Sequence, residues 1–231
     1  MQLKTILNRV EPSKSFVYGT VQWLDGAAQP TLLVSLEPRT NPAGLRKNGR
    51  PLCSGCGLVR PGSDRLPARW FAYVPLWGIA VYLVYALRRV DCPQCGVKVE
   101  RVPWCDGKNQ LTTTYRWFLA RWAKRLSWQE VAVTFHTTWE NVFRSVEHAV
   151  SWGLAQRVLS GVRALGIDEI QWQSGHHYLT LVYQIDDGLK RLLWIGRERT
   201  EASLRGFFAG LDDEVRLGIR FVCSNAPGAF K

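Results

Sequence analysis

The chain has 231 residues, 46% of them apolar, and a net charge of +11. That length holds one large domain or two to three small ones, and the apolar fraction excludes a globally disordered chain. The charge is uneven: residues 1–164 carry 22 Lys and Arg against 10 Asp and Glu, whereas residues 165–231 carry 8 against 9. A basic front portion suits a polyanionic partner, whether DNA, RNA or an anionic membrane. Met1–Val10 lacks the apolar run of a signal peptide.

Two aliphatic and aromatic runs, Phe16–Leu24 and Thr31–Leu36, flank Asp25-Gly26 and predict a β-hairpin. Pro38 to Pro51 reads as a solvated basic loop. Trp70–Leu87 carries no charged side chain and touches the lower length limit of a membrane span. Pro75 and Gly78 interrupt it, and a cysteine pair lies on each side, so a span would put the pairs on opposite faces of a bilayer. Two strands, Arg69–Val74 and Ala80–Ala86, and no membrane insertion are the better reading.

The pairs themselves are Cys53-Ser54-Gly55-Cys56-Gly57 and Cys92-Pro93-Gln94-Cys95-Gly96. Two Cys-x2-Cys turns, each closed by glycine, can place four thiolates around tetrahedral zinc, with the intervening strands as a long insertion in a zinc ribbon. Chance pairs or a redox-active Cys-x-x-Cys are the alternatives, but a thioredoxin-like motif needs one pair opening a helix after a strand. Cys105 and Cys223 have no partner turn and read as ordinary small side chains.

Helices dominate Leu111 to Leu159. A first helix is predicted over Leu111–Lys124, and a second over Trp128–Phe135 with Ser127 as cap and Glu130 completing a capping box. After the turn His136-Thr137-Thr138 a third helix runs from Trp139 to about Trp152. The arrangement predicts a helix-turn-helix, with a purely structural helical bundle as the competing reading. Glu140, Asn141 and Arg144 on the third helix are the candidate base-reading residues, and Arg116, Arg121, Lys124 and Arg125 the candidate phosphate contacts. His136 and His148 read as surface or packing residues.

From Gly161 the pattern is strand–strand–strand–helix–strand: Ala164–Ile167 delivering Asp168-Glu169 at its end, Tyr178–Ile185, Leu189–Ile195, helix Glu201–Leu211 and Leu217–Cys223. That is how a ribonuclease H-like fold begins, and it leaves one sheet face and one edge to be covered.

The chain resembles the transposases of the ISL3 insertion-sequence family over nearly its whole length. The doubled Cys-x2-Cys-Gly turns, Val102-Pro103-Trp104, Leu126–Ala132, Gly166-Ile167-Asp168-Glu169, Gly175–Thr180, Arg191–Gly196 with Arg199-Thr200, and Ile219–Ser224 carry the resemblance in this order. It implies a zinc-binding N-terminal region, a helix-turn-helix that recognises transposon terminal inverted repeats, and a catalytic domain with an Asp, Asp, Glu triad. That domain uses magnesium or manganese and acts as a homo-oligomer on double-stranded DNA. Two metal ions held by three carboxylates activate the attacking oxygen and stabilise the leaving one. Asp168 matches the first carboxylate and magnesium ligand, with a strand-end cap as its plain structural role. Glu169 is a neighbour in the motif, and His176 and His177 form no firm metal pair. Asn225 stands at the position of the second carboxylate, and a neutral amide cannot neutralise a cation. The third is absent from these residues.

The expectation is therefore a mixed α+β multidomain chain, with an N-terminal β and linker region at 1–50 and a zinc module at 51–106. A helix-turn-helix region at 107–160 and the start of a truncated ribonuclease H-like domain at 161–231 complete it. Its expected role is a cytoplasmic, nucleoid-associated, transposase-derived DNA-binding protein without catalysis. The alternatives are an active transposase completed by another chain, or a zinc-binding helix-turn-helix regulator.

Overall fold

The computed structural model describes residues 2–40 and 49–224, which form two compact units divided between Ala155 and Gln156. In the first unit, helix α1 (Leu3–Val10) precedes strands β1 (Phe16–Trp23) and β2 (Thr31–Pro38), which pair as the expected antiparallel hairpin with Gly26 left-handed in its turn. Strands β3 (Leu52–Cys53) and β4 (Gly62–Arg65) lead to the uncharged run, which folds as β5 (Arg69–Leu76) and β6 (Ile79–Tyr85). Strands β7 (Arg88–Cys92) and β8 (Gly96–Arg101) follow. No helix among the described residues is long and apolar enough to cross a membrane.

The sheets do not divide at residue 50. One has the order β1-β2-β6-β5, with β2 and β6 parallel, and the other the order β3-β8-β7-β4. The strands inserted between the cysteine turns thus join the N-terminal hairpin, and only short strands remain around the cysteines. The reason is apolar area: alternate residues Phe71, Tyr73, Val81, Leu83 and Tyr85 are buried with Phe16, Val34 and Leu36, a surface four small cysteine-bearing strands could not cover. Trp104 is the centre of this core, edge-on to Phe16 at 4.8 Å and to Tyr85 at 5.4 Å.

A buried ion pair within the cysteine-bearing sheet is tied to the other sheet through Tyr85. The Arg88 guanidinium, 5% exposed, meets the fully buried Glu100 carboxylate at 2.6 Å. Tyr85 Oη donates to Glu100 Oε1 at 2.9 Å, the Arg88 backbone N–H donates to the same oxygen, and Arg88 Nη1 donates to the Gly49 carbonyl. With each side-chain nitrogen and oxygen of the pair hydrogen-bonded, two charges are tolerated where an unpaired one would not be.

The chain then returns to β5. Ala72 N–H donates to the Gln110 carbonyl and the Ala72 carbonyl accepts Thr112 N–H, so the approach to the helices is stitched to the sheet. Helix α2 (Thr113–Trp122) is capped by Thr112, and α3 (Trp128–Thr134) by Ser127, whose hydroxyl and Glu130 form the expected capping box. Helix α4 (Trp139–Ala155) starts at Thr138, whose hydroxyl accepts Asn141 N–H. Leu111, Tyr115, Leu119, Val131, Ala132 and Val142 form the three-helix core. The tight α3–α4 turn is closed by Thr137 N–H on the Ala132 carbonyl, with His136 left-handed at φ 49°.

In the second unit, β9 (Ala164–Gln173), β10 (His177–Gln184), β11 (Arg191–Arg197), α5 (Glu201–Ala209), α6 (Asp213–Gly218) and β12 (Phe221–Ser224) form a sheet of order β11-β10-β9-β12. Strand β12 runs parallel to β9, and Leu165, Val182, Leu193 and Phe207 are buried together. Two expectations need correction. Strand β9 continues through Asp168 and Glu169 because β10 pairs along it as far as Gln173 opposite His177, so Asp168 lies mid-strand. Leu217 and Gly218 close a helix, not a strand: Asp213 and Glu214 stand in its first turn, where the helix dipole favours acid. On the open part of this unit Trp172, Ile195 and Phe221 are exposed.

The Arg88–Glu100 pair sets a stability prediction. Glu100→Leu alone leaves a buried guanidinium unpaired and is expected to cost about 3–5 kcal/mol, while Arg88→Met/Glu100→Leu restores most of it. Urea unfolding followed by tryptophan fluorescence measures both; equal losses in single and double variants would show that the pair is not coupled.

Candidate metal centre and nucleic-acid interface

The two cysteine turns converge. The sulfurs of Cys53, Cys56, Cys92 and Cys95 all lie within 4.8 Å of one another, and Cys56 Sγ is 3.7 Å from Cys92 Sγ. Tetrahedral zinc with Zn–S bonds of about 2.3 Å sets its sulfurs about 3.8 Å apart, so the donor set fits that ion in number, type and spacing. Gly57 and Gly96 are left-handed at φ 72° and 70°, which lets each turn fold back on its sulfurs. Gly55 has a different role: a Cβ there would come within 2.8 Å of Cys95 Sγ.

Backbone amides favour ionisation of two of the sulfurs. The Cys56 N–H, and after it the Gly55 N–H, pull the Cys53 thiol below its ordinary range despite burial. Burial opposes ionisation of Cys92, but the Gln94 and Cys95 N–H groups and the neighbouring sulfurs outweigh it and bring that thiol to about 6. Burial and the three other sulfurs push Cys95 up to about 12. Four thiolates this close would repel one another, and a cation among them would offset that repulsion. Cys105 stands apart, buried beneath Trp104 with its thiol donating to the Asn109 carbonyl, and Cys223 is exposed on β12. Among the described residues, no other group of three or more His, Cys, Asp and Glu side chains is placed to hold a metal.

The proposed DNA-contacting residues fall into distinct settings. Glu140 and Arg144 face solvent on α4 and pair with each other at 2.6 Å. An exposed pair of this kind contributes about 0.3–0.5 kcal/mol and opens readily for a competing partner. Asn141 is half-buried, and its amide donates to Thr137 Oγ1. Arg121, Lys124 and Arg125 are exposed around the C-terminal end of α2. Arg116 is half-buried, and burial lowers its pKa from the ordinary value. His148 packs against Trp117, and His136 is exposed in the turn. An exposed aromatic group, Trp128, Trp139 and Phe143, was not singled out from sequence; its only signal there is the i, i+4 spacing of the last two.

In the second unit, Asp168 is half-buried and its Oδ1 accepts the Glu169 N–H at 2.8 Å. Successive strand residues face opposite sides, so Glu169 shares the side of Leu165 and Ile167 and cannot join Asp168 at one ion. Glu169 instead pairs with Arg199 Nε at 2.7 Å, and its Oε1 is buried without a hydrogen-bond partner among the described residues. His176 and His177 lie at the β9–β10 turn, His177 against Trp172. Ser224 pairs with Ile167, the residue before Asp168, and Asn225 lies outside the described residues.

Comparison with known proteins agrees with the family resemblance. Residues 165–231 match the ISL3 family of transposases. The chain is 28% identical over 216 residues to the transposase for insertion sequence element IS1557 of Mycobacterium tuberculosis, covering 87% of this chain and 43% of that protein. It is 25% identical over 181 residues to the transposase for insertion sequence element IS1001 of Bordetella parapertussis, covering 78% and 44%. The chain thus spans less than half the length of these relatives. No solved structure matches.

The sulfur geometry predicts one tightly held zinc per chain, and a Gly55→Ala variant in which a displaced Cys95 weakens it by about tenfold. Competition against a chromophoric zinc chelator measures both, and an unchanged affinity in Gly55→Ala would show that Cys95 is not held where it ligates.

Proposed function

We propose that this chain is a transposase-derived protein of DNA transposition that holds double-stranded DNA, with transposon terminal inverted repeats as its target, and does not itself cut it. The observation that supports this reading is the tie between the two DNA-directed parts. The cysteine centre, the Arg88–Glu100 joint, the β5 strand and the helices belong to one compact unit, joined by backbone hydrogen bonds at Ala72. A structural zinc would fix the strands that carry the sheet on which the helix-turn-helix is mounted. Helix α4 would enter the major groove with Arg144, Glu140 and Asn141 toward base edges, while Arg121, Lys124, Arg125 and, less freely, Arg116 meet phosphates. Pairing of two chains on two ends, in the cytoplasm at the nucleoid, completes the reading.

Loss of catalysis rests on Asn225. Asp168 alone offers one carboxylate to magnesium or manganese, and the family's second position holds a neutral amide. In an intact site of this kind the ions would activate the attacking oxygen and stabilise the leaving one.

Duplex binding at moderate salt tests the proposal. Repeat-containing duplex should outcompete unrelated duplex by about a thousandfold or more, and chelation of zinc should abolish the difference. Arg121→Ala is expected to weaken all duplexes alike and lower the salt slope by about 1, whereas Arg144→Ala should lose about 1–3 kcal/mol of discrimination at one base pair. Equal binding to every duplex, unaffected by chelation, would sink specific recognition; magnesium-dependent strand cleavage by the purified chain would sink the loss of catalysis.

A further inference from the structure

Three aromatic rings stand open on α3 and α4. Trp139 is 55% exposed, Phe143 39% and Trp128 38%. They form one row, with Trp128 and Phe143 ring centroids 5.3 Å apart and those of Trp139 and Phe143 6.1 Å apart. The rings shield one another, yet each keeps more than a third of its surface in water. Local structure holds the row in place. Val142 and Ser145 turn inward to the helical core, which directs Glu140, Phe143 and Arg144 outward on α4. Trp128 opens α3 directly after Ser127, so the Ser127–Glu130 capping box fixes the ring against which Phe143 packs. Asn141, by contrast, is turned aside to Thr137. Charge at the borders of the row selects its occupant. Arg144 adjoins Phe143 on one side, and Arg125 and Lys124 come three and four residues before Trp128 on the other, all exposed. Glu140 is paired with Arg144, and the face turns acidic only at Glu147, a turn beyond Phe143. A second copy docked here would bring like charges together, whereas a polyanion is attracted.

We propose that Phe143 and Trp139 set a preference for thymine in duplex DNA, seating its C5-methyl group in the major groove beside the base edge that Arg144 meets. Trp128 is the positioning residue behind Phe143. The proposal rests on the helix-turn-helix reading above. Of the four bases only thymine carries a methyl group in that groove, so an apolar surface there separates it from cytosine, which has a hydrogen at the same carbon. Taking one methyl group out of water is worth about fourfold in affinity. The phenyl ring of Phe143 neither donates nor accepts a hydrogen bond, so it adds discrimination without competing for the base edge that Arg144 reads.

The test uses the full chain supplied with zinc and, as probe, the duplex it selects most strongly from a random pool at moderate salt. Affinity is measured for that duplex and for the same duplex with deoxyuridine in place of every thymidine, which removes only the methyl groups. The wild type is expected to bind the uracil duplex about fourfold more weakly for each methyl group seated. Phe143→Ala should lose most of that ratio with its salt slope unchanged, because no phosphate contact is removed. Trp128→Ala should lose part of it. Equal affinity of the wild type for the two duplexes overturns the thymine preference and leaves the helix-turn-helix reading standing. A full ratio in Phe143→Ala also overturns it, since the methyl groups then act through the shape of the DNA. Should Phe143→Ala fail to fold by far-ultraviolet circular dichroism, Trp139→Ala decides, and a full ratio there overturns the proposal. A wild-type dimer that Phe143→Ala converts to monomer on sedimentation, with duplex affinity unchanged, assigns the row to a second copy and overturns it too. A wild-type chain that selects no duplex overturns the DNA reading, and this inference with it.

Discussion

Four cysteine sulfurs gathered within 4.8 Å constrain everything around them. As thiolates they repel, and as thiols they hold one another only weakly, so a cation at their centre would change a strained cluster into the firmest point of the unit. The four short strands that bear them have almost no apolar core beyond Val90 and the cysteines themselves. What holds them is the gathered sulfurs at one end and Arg88 and Glu100 at the other. Tyr85 transfers that anchoring to β6, and Ala72 passes it from β5 to the start of α2. The helices are thus positioned through a continuous series of polar contacts, each buried or built from backbone.

What sequence made legible was local. Asp25-Gly26, the paired Cys-x2-Cys-Gly turns and the Ser127–Glu130 capping box each specify their geometry within a handful of residues, and each is present where expected. The partnership of β2 with β6 was not legible, because nothing near Thr31 or Ala80 distinguishes one exposed strand edge from another; only competition for apolar cover decides it. The same limit applies to Asp168. Its short apolar lead-in marks a strand, but how far β9 continues depends on the length of β10 opposite it. At α6 the reading favoured apolar content over the two acids that open the helix.

The candidate sites divide in the same way. Cysteine spacing pointed to the four sulfurs that the structure gathers, since each Cys-x2-Cys turn can present two donors to one ion. For Asp168 and Glu169, adjacency in sequence suggests cooperation, whereas the pleat assigns them to opposite sides. Arg199 then explains Glu169 as an ion-pair partner, leaving Asp168 as the carboxylate of the motif that is free of such a partner among the described residues.

The parallel pairing of β2 with β6 also governs the order in which the molecule can assemble. Thr31 opposite Ala80 closes a loop of about 50 residues, an entropic barrier that must be crossed before the contact is rewarded. The cysteine turns lie inside and just beyond that loop, and ligation of one ion by both of them would draw Cys53 toward Cys95 and shorten the search. During synthesis on the ribosome, the N-terminal hairpin must wait with one edge unpaired until residue 85 has emerged. The supply of zinc would then act as a timer on the nascent chain, setting how long that edge is open to chaperones or to a neighbouring copy.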